Sequence, residues 1–346
     1  MNNDFPQFVS FGEALTDMLR VGPDEWKSVP GGASWNVARV MAGFGVTSAF
    51  GGAISQDCFG DVLWQVSLEV GLDRRFIQRY SKSPLLAIVH ETRPPAYFFV
   101  GDDSADLYFD EDALPQGWES ALRWAHFGGI SLARQPLAER LVSLAERLKA
   151  RGVKISYDPN FRVLMDASYD PILVRMASVA DLIKVSEEDL RGLFRTDDED
   201  GALLRLRAMN PAAASLYTRG AEGATLSVGE QCWRATPPKI TVVDTVGAGD
   251  CSLAGLLCSL MHEPGVGWDV HLRASVAAGA GACLAAGATP PSAETFARLV
   301  NEVKVSVCWF GLIRRSVAAG VATKKPHWAA FLGSSLRSAL RYCIGK

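Results

Sequence analysis

The segment Asp244-Thr-Val-Gly-Ala-Gly-Asp250 has the spacing with the clearest chemical content in the chain. An apolar run, Ile240 to Val243, precedes it, and Cys251 to Met261 follows as a stretch long enough for a helix. A strand-like segment, a glycine-rich turn and a helix start therefore lie in succession. Successive N–H groups of such a turn converge on an anion, and the helix N-terminus adds a favourable field. Asp250 then sets a carboxylate beside that anion. The charge is out of place there unless it removes a proton from an attacking nucleophile, as a general base does in phosphoryl transfer. The same residues also suit a tight turn with an aspartate capping the helix. The phosphate loop of the GxxxxGK[ST] kind is absent.

Three more polar turns follow apolar segments in the same way: Asp158-Pro-Asn-Phe-Arg162, Ser186-Glu-Glu-Asp189 and Arg219-Gly-Ala-Glu-Gly223. In an open parallel sheet the C-terminal strand ends form the ligand crevice, so four such turns belong on one edge. The intervening segments supply the elements that hold them there. Phe8 to Phe11, Val46 to Phe50, Trp124 to Phe127, Val153 to Tyr157, Leu182 to Val185 and Ser215 to Thr218 read as strands. Ala33 to Phe44, with Val37, Val40, Met41 and Phe44 on one face, reads as a helix, as does Pro136 to Lys149 with Leu137, Leu141, Leu144 and Leu148. Alternating strands and helices predict an α/β fold with a parallel sheet. Ala14 to Val21, Leu85 to His90, Tyr97 to Val100 and Ala105 to Phe109 read as short strands of a small separate sheet, a lid or a dimerisation surface.

The chain has 346 residues, 48% of them apolar, which excludes global disorder and allows one large or two modest domains. Net charge is −3, which gives no sign of a nucleic-acid binder. No acidic residue follows Glu302, and the eight Lys and Arg beyond it leave −11 on residues 1–303. The basic tail, with Trp309, Phe310, Trp328 and Phe331 among small residues, reads as a membrane-surface segment, a weakly ordered extension or the product of an altered reading frame. The seven cysteines form no CxxC pair, so reduced, buried thiols and a cytoplasmic protein are expected. Neither a signal peptide nor a membrane span is expected.

Gly31-Gly32-Ala33-x-x-Asn36-x-Ala38, followed by Gly43-Phe44-Gly45, resembles the N-terminal signature of PfkB (ribokinase-like) sugar kinases, and Asp244 to Asp250 resembles their C-terminal signature. The similarity spans residues 7–303, with residues 304–346 outside it. It implies a three-layer α/β/α sandwich of eight or nine strands, with a small β-sheet lid drawn from about 13–30 and 85–112. It also implies ATP-dependent phosphorylation of a sugar or nucleoside hydroxyl. By that resemblance Asp250 is the base, and Gly247, Ala248 and Gly249 offer N–H groups to the migrating phosphoryl. Asp17, Gly31, Gly32, Asn36 and Phe98, with Phe99 beside it, would hold the sugar. Arg162 resembles an arginine near phosphate or sugar in fructokinase-like and ketodeoxygluconate-kinase-like members. Ser186 and Asp189 stand where the family has Asn and Glu, so Asp189 is expected to meet Mg²⁺ through water, with Asp158 a weaker partner. Lys184, Ser186, Thr218, Arg219, Gly220, Gly223, Gly247 and Gly249 would face ATP. Carbonyls at Asp244 and Val246 match a monovalent-cation site, so K⁺ is a candidate cofactor.

The 101–106 segment resembles the fructokinase-like lid, which favours fructose as substrate. 2-Keto-3-deoxygluconate, aminoimidazole riboside and other sugars or nucleosides fit the same scaffold. A non-catalytic sugar sensor and a scaffold acting through its tail are the competing classes, and a homodimer through the lid is the expected assembly.

Overall fold

In the computed structural model, which describes residues 5–92 and 95–309, the apolar runs become fourteen strands among the described residues. These are β1 (Phe8–Phe11), β2 (Leu15–Arg20), β3 (Trp26–Gly31), β4 (Ser48–Ser55), β5 (Ile77–Tyr80), β6 (Leu86–Thr92) and β7 (Pro95–Val100). Then come β8 (Trp124–Gly128), β9 (Lys154–Asp158), β10 (Leu182–Ser186), β11 (Ala214–Thr218), β12 (Ala224–Val228), β13 (Gln231–Thr236) and β14 (Lys304–Trp309). The helices are α1 (Ala33–Gly43), α2 (Cys58–Glu69), α3 (Leu137–Ala150), α4 (Asp170–Val179), α5 (Glu187–Phe194), α6 (Glu199–Met209), α7 (Ala248–His262), α8 (Trp268–Ala282) and α9 (Ala293–Glu302).

Ten strands form one sheet in the order β14-β13-β12-β11-β10-β9-β8-β1-β4-β5. The strands from β11 to β5 run parallel, and β12, β13 and β14 are antiparallel at one end. Strands of a sheet covered on both faces must be apolar on both. In β1, Val9 and Phe11 feed one core, shared with α3 to α6, and Phe8 feeds the other, shared with α1, α7, α8 and α9. Each fully buried Leu of α3 contributes roughly 1.5–3 kcal/mol, and Leu141, Leu144 and Leu148 are all buried. The result is a three-layer α/β/α sandwich.

α7 and α8 pack closely because their contact is made of small residues. A Cβ at Gly255 would lie 2.6 Å from that of Ala278. This packing fixes the N-terminus of α7 over the sheet edge.

The lid is a four-stranded sheet in the order β3-β2-β6-β7. Its inner face rests Leu15, Leu85 and Ala87 on Ile130, with Phe99 packed alongside. Gly32 has φ +112, and a side chain there would meet the carbonyl of Glu13 at 2.6 Å, so the entering and leaving chains touch at the base. At the second crossing Arg134 bonds Asp106, the Gly101 carbonyl and Ser104 Oγ.

Several expectations change. The sheet has ten strands rather than eight or nine. The run read as Val46 to Phe50 pairs over Ser48–Ser55, because Gly51 and Gly52 leave space for the Phe11 and Phe50 rings. Ala105–Tyr108 is a 3-10 turn rather than a strand, its Ser104 and Asp106 side chains bonded to each other. Trp26–Gly31 and Ile77–Tyr80 are strands that the sequence reading passed over. Cys232 and Cys308 are not reduced thiols but a disulfide between directly opposed residues of β13 and β14. That pairing also carries the sheet past Val303. The rest of the basic tail, with Phe310, Trp328 and Phe331, lies outside the described residues. Among the described residues no helix is long and apolar enough to cross a membrane.

Candidate active site

α7 begins at a left-handed residue, Gly247, with φ 76 and ψ 3. Glycine adopts that conformation without steric cost, and Gly247 also packs against Ala288. No side chain caps the helix, so its leading N–H groups face the turn and its positive end faces the sheet edge. The N–H of Ala248 turns back to the Thr245 carbonyl at 3.2 Å. That bond leaves Gly247 and Gly249 as the better-placed donors of the expected three. Asp244 braces the turn, accepting from Val246 N at 3.1 Å and from Gly287 N at 3.0 Å.

Asp250 lies in the first turn of α7 and is buried. Its Oδ2 accepts from Asn36 Nδ2 at 2.9 Å. Burial pushes its pKa up to about 7; the Asn36 bond pulls down, Asp158 pushes further up, and Lys184 and Arg162 pull down. A general base works best with a pKa near the operating pH, so the first two signature motifs meet in one suitably tuned carboxylate.

Lys184 sits on the β10 end beneath this turn, 2.9 Å from Asp158 Oδ2 and 3.9 Å from Asp189 Oδ2. A Cβ on Gly249 would lie 3.3 Å from its Nζ. Burial alone would push the ammonium down, but Asp158, Asp189 and Asp250 hold it above its ordinary value. Asp189 closes a capping box with Ser186: Oδ2 accepts from Ser186 N at 2.6 Å and Oγ at 2.7 Å, and Oδ1 accepts from Phe161 N at 2.6 Å. Asp158 Oδ1 accepts from Asn160 N at 3.0 Å. Neither carboxylate is bare, and no group of three or more metal-ligating side chains occurs among the described residues.

Across the crevice, Asp17 projects from the lid. Its Oδ2 lies 2.5 Å from where a Cβ of Gly31 would stand, so glycine is needed at that position. Burial raises Asp17 to about 6, with Arg162 pulling the other way. Arg162 Nη1 donates to Asn160 Oδ1 at 2.9 Å and to the Phe161 carbonyl at 2.7 Å. Its guanidinium carbon stands 5.8 Å from the Tyr97 ring centroid.

Phe98 does not share this face. In register Asp17 opposes Ala87, which opposes Phe99, whereas Phe98 opposes Ile88 and Met18. Side chains alternate along a strand, so Phe98, 53% exposed, is on the outer face. Tyr97 and Phe99 take the inner one.

Thr218 and Ser186 are direct partners on neighbouring strands, which puts both at the same sheet edge. Arg219 lies over the Tyr217 ring at 5.5 Å and 3.7 Å from Glu222. Gly220 opens the short turn that follows, and Gly223 ends it against the backbone of Ala235. Thr218, Arg219, Gly220 and Gly223 thus lie along the same sheet edge as the Asp250 cluster.

Residues that the sequence reading did not single out also gather here. Glu13 is buried and accepts from Ser131 Oγ at 2.9 Å; burial raises its pKa and Ser131 moderates the rise. His126, on β8, is fully buried 3.2 Å from Ser156 Oγ, and burial followed by the charge of Lys184 lowers it to about 3. A lone acidic residue between two strands, like Glu13, or a lone histidine inside an apolar strand, like His126, carries no spacing signal, so only the fold brings them to notice.

A family model described as pfkB family carbohydrate kinase matches residues 6–295. A fructokinase from Escherichia coli is 30% identical over 257 residues, covering 72% of this chain and 82% of that protein. The crystal structure of a fructokinase with bound ATP from Xylella fastidiosa gives a TM-score of 0.77 at 26% identity, covering 86% of this chain and 99% of that one. Aminoimidazole riboside kinase from Salmonella enterica, complexed with aminoimidazole riboside and an ATP analog, gives 0.74 at 27% identity, covering 85% of this chain and 99% of that one.

Proposed function

The chain belongs to the pfkB family of carbohydrate kinases, and we propose that it transfers the γ-phosphoryl group of ATP to the primary hydroxyl of fructose, giving fructose 6-phosphate. One observation carries the reading: a buried carboxylate, Asp250, raised to about 7 at an uncapped helix N-terminus and bonded to Asn36. Asp250 accepts the hydroxyl proton while that oxygen attacks phosphorus. The N–H groups of Gly247 and Gly249 and the field of α7 meet the charge that builds on the transferring oxygens. Asp17 accepts from sugar hydroxyls, and Gly31, Gly32 and Asn36 let the sugar approach the backbone. Arg162 stands between lid and base, with Tyr97 over it. Thr218, Arg219, Gly220 and Gly223 continue the same edge on the nucleotide side. The lid closes over the sugar and keeps water from competing for the phosphoryl group.

Both carboxylates nearest the phosphate region already accept protein hydrogen bonds. The donor set therefore suits a magnesium ion held by phosphate and water, with Asp189 and Asp158 touching its waters. When bound, that ion neutralises phosphate charge. A monovalent cation at the Asp244 and Val246 carbonyls is tested by comparing rates in potassium with rates in tetramethylammonium. The exposed outer lid residues Trp26, Phe98 and Val100 suit a homodimer, which sedimentation tests. A cytoplasmic location fits the need for ATP.

The fructokinases from Escherichia coli and Xylella fastidiosa favour fructose. The aminoimidazole riboside kinase likeness favours a riboside as the second reading. The test is sugar-dependent ADP release from MgATP across fructose, aminoimidazole riboside, 2-keto-3-deoxygluconate and ribose. Fructose should give the highest kcat/KM. A riboside at the top transfers the proposal to the second reading, and no ADP release with any acceptor identifies a sensor instead.

A further inference from the structure

Asn36 meets Asp250 through a primary amide, whose two ends differ in sign. With Nδ2 toward Asp250 Oδ2, at 2.9 Å, the contact donates to the carboxylate. Turned by half a rotation, the same side chain would set its carbonyl oxygen against a negative charge. Asp250 enforces the first orientation only while it is ionised, since a protonated carboxyl could donate to the carbonyl end. One turn along α1, Arg39 Nη1 lies 3.4 Å from Asn36 Oδ1. A guanidinium only donates, so it bonds the carbonyl end of the amide and never the amino end.

Arg39 is itself held in place. Its guanidinium carbon is 4.3 Å from the centroid of the Trp35 ring, close enough for a cation–π contact. Trp35 is fully buried and donates its indole N–H to Ser67 Oγ at 2.9 Å. Ser67 in turn donates to the Leu63 carbonyl at 2.7 Å on α2. Arg39 Nε is buried with no hydrogen-bond partner. Leaving such a group unpaired is unfavourable, and a solubilising arginine would turn out to water instead.

We propose, resting on the kinase reading of Asp250, that Arg39 is a positioning residue that locks the Asn36 amide with its amino group toward the catalytic carboxylate. The relay runs from Trp35 through Arg39 and Asn36 to Asp250. Arg39 touches no reacting atom. The other charged or titratable groups around Asp250 come from elsewhere: Asp158 at the β9 end, Arg162 in the turn after it, Lys184 on β10 and Cys251 on α7. Of these only Cys251 also feels Arg39, whose charge opposes the rise that burial gives its thiol, so a changed acid limb after its replacement reports either the amide orientation or the charge of Arg39 itself.

A double-mutant cycle separates those two. Wild type, Arg39→Met, Arg39→Lys, Asn36→Ala and the Asn36→Ala/Arg39→Met double variant are assayed for kcat/KM against pH, with ATP and the best acceptor of the wild type. The Asn36 bond lowers the Asp250 pKa, so loss of orientation moves the acid limb up. Arg39→Met should shift it by about half a unit or more, equivalent to about a threefold loss on the acid side, with a smaller loss above about pH 8 and little change in KM for ATP. Arg39→Lys should restore the profile in part, and Arg39→Met should add nothing once Asn36 is alanine. A superimposable Arg39→Met profile, or an undiminished shift in the Asn36→Ala background, overturns the proposal. Should the methionine variant not fold, Arg39→Ala, which likewise removes the donor and the charge, replaces it in the cycle under the same criteria. A wild-type protein that phosphorylates no acceptor defeats the kinase reading first, before any variant is compared, and the relay falls with it.

Discussion

At Asp250 the same burial that would suit the proposed base also works against the fold. The folded carboxylate titrates near 7, above its ordinary 3.8. A raised value means that its contribution to stability is fully present below about pH 4 and is lost as pH rises through 7. Asp250→Asn should therefore cut kcat by about 10²–10⁴-fold, the usual worth of a general base, while KM for ATP stays within about threefold. The same variant should melt higher than wild type at pH 8, by about 1–3 kcal/mol in stability, and this gain should vanish near pH 4. Calorimetry at the two pH values, beside steady-state kinetics, checks both halves. Equal melting at pH 8 would mean that the carboxylate is solvated in the free enzyme. Asp250 and Asn36 were legible in the sequence because turn glycines and helix starts leave a fixed spacing. Glu13 and His126 were not, because their chemistry depends on Ser131 and Lys184, which are distant in the chain; Arg39 was not, because an arginine on a helix reads as a solvated residue until its guanidinium is seen over Trp35.

At the scale of elements, the lid hangs from two crossings, and the segment after β8 holds both. Ser131 donates to Glu13 at the first, and Arg134 binds Asp106 and the Gly101 carbonyl at the second, while Ile130, just before them, supports the inner apolar face. Asp106 is buried and Arg134 nearly so. Removing one partner of a buried pair leaves an uncompensated charge. Arg134→Met should therefore lower stability by about 2–4 kcal/mol, and the Arg134→Met/Asp106→Asn pair should recover part of that loss. Urea unfolding measures both, and a double variant no more stable than the single would mean that the pair is not electrostatically coupled. The long amphipathic α3 and the buried parallel strands were legible from periodicity alone. Trp26–Gly31 was not, since Lys27, Ser28 and Pro30 give it no apolar face. Phe98 was expected at the sugar site because composition does not reveal register, and one position of register moves a side chain to the other face.

For the whole molecule, β9, β10 and β11 set three polar turns on one edge of the sheet; Ile240 to Val243 is not a strand, so the Asp244 to Asp250 turn is held there by α7, and the antiparallel end closes the sheet with β14. That strand lies four positions from β10, which bears Lys184. An exposed edge strand is prone to pair with other chains or to slip. Here Cys232 and Cys308 face each other across β13 and β14, so their bond fixes the register directly. The sequence could not reveal the pair, because 76 residues separate the two and seven cysteines allow many pairings. Closing a loop of that length removes unfolded-chain entropy equivalent to about 4.5 kcal/mol. Alkylation in denaturant without reductant should therefore leave Cys232 and Cys308 unlabelled in the intact mass. Cys308→Ser should lower stability by up to that amount. Its kcat should match wild type, because the strands between β14 and the crevice keep their own packing on α7 and α8. Labelling of both residues would show that the edge is held by backbone pairing alone. A fall in kcat without a fall in stability would show instead that the far end of the sheet communicates with Lys184.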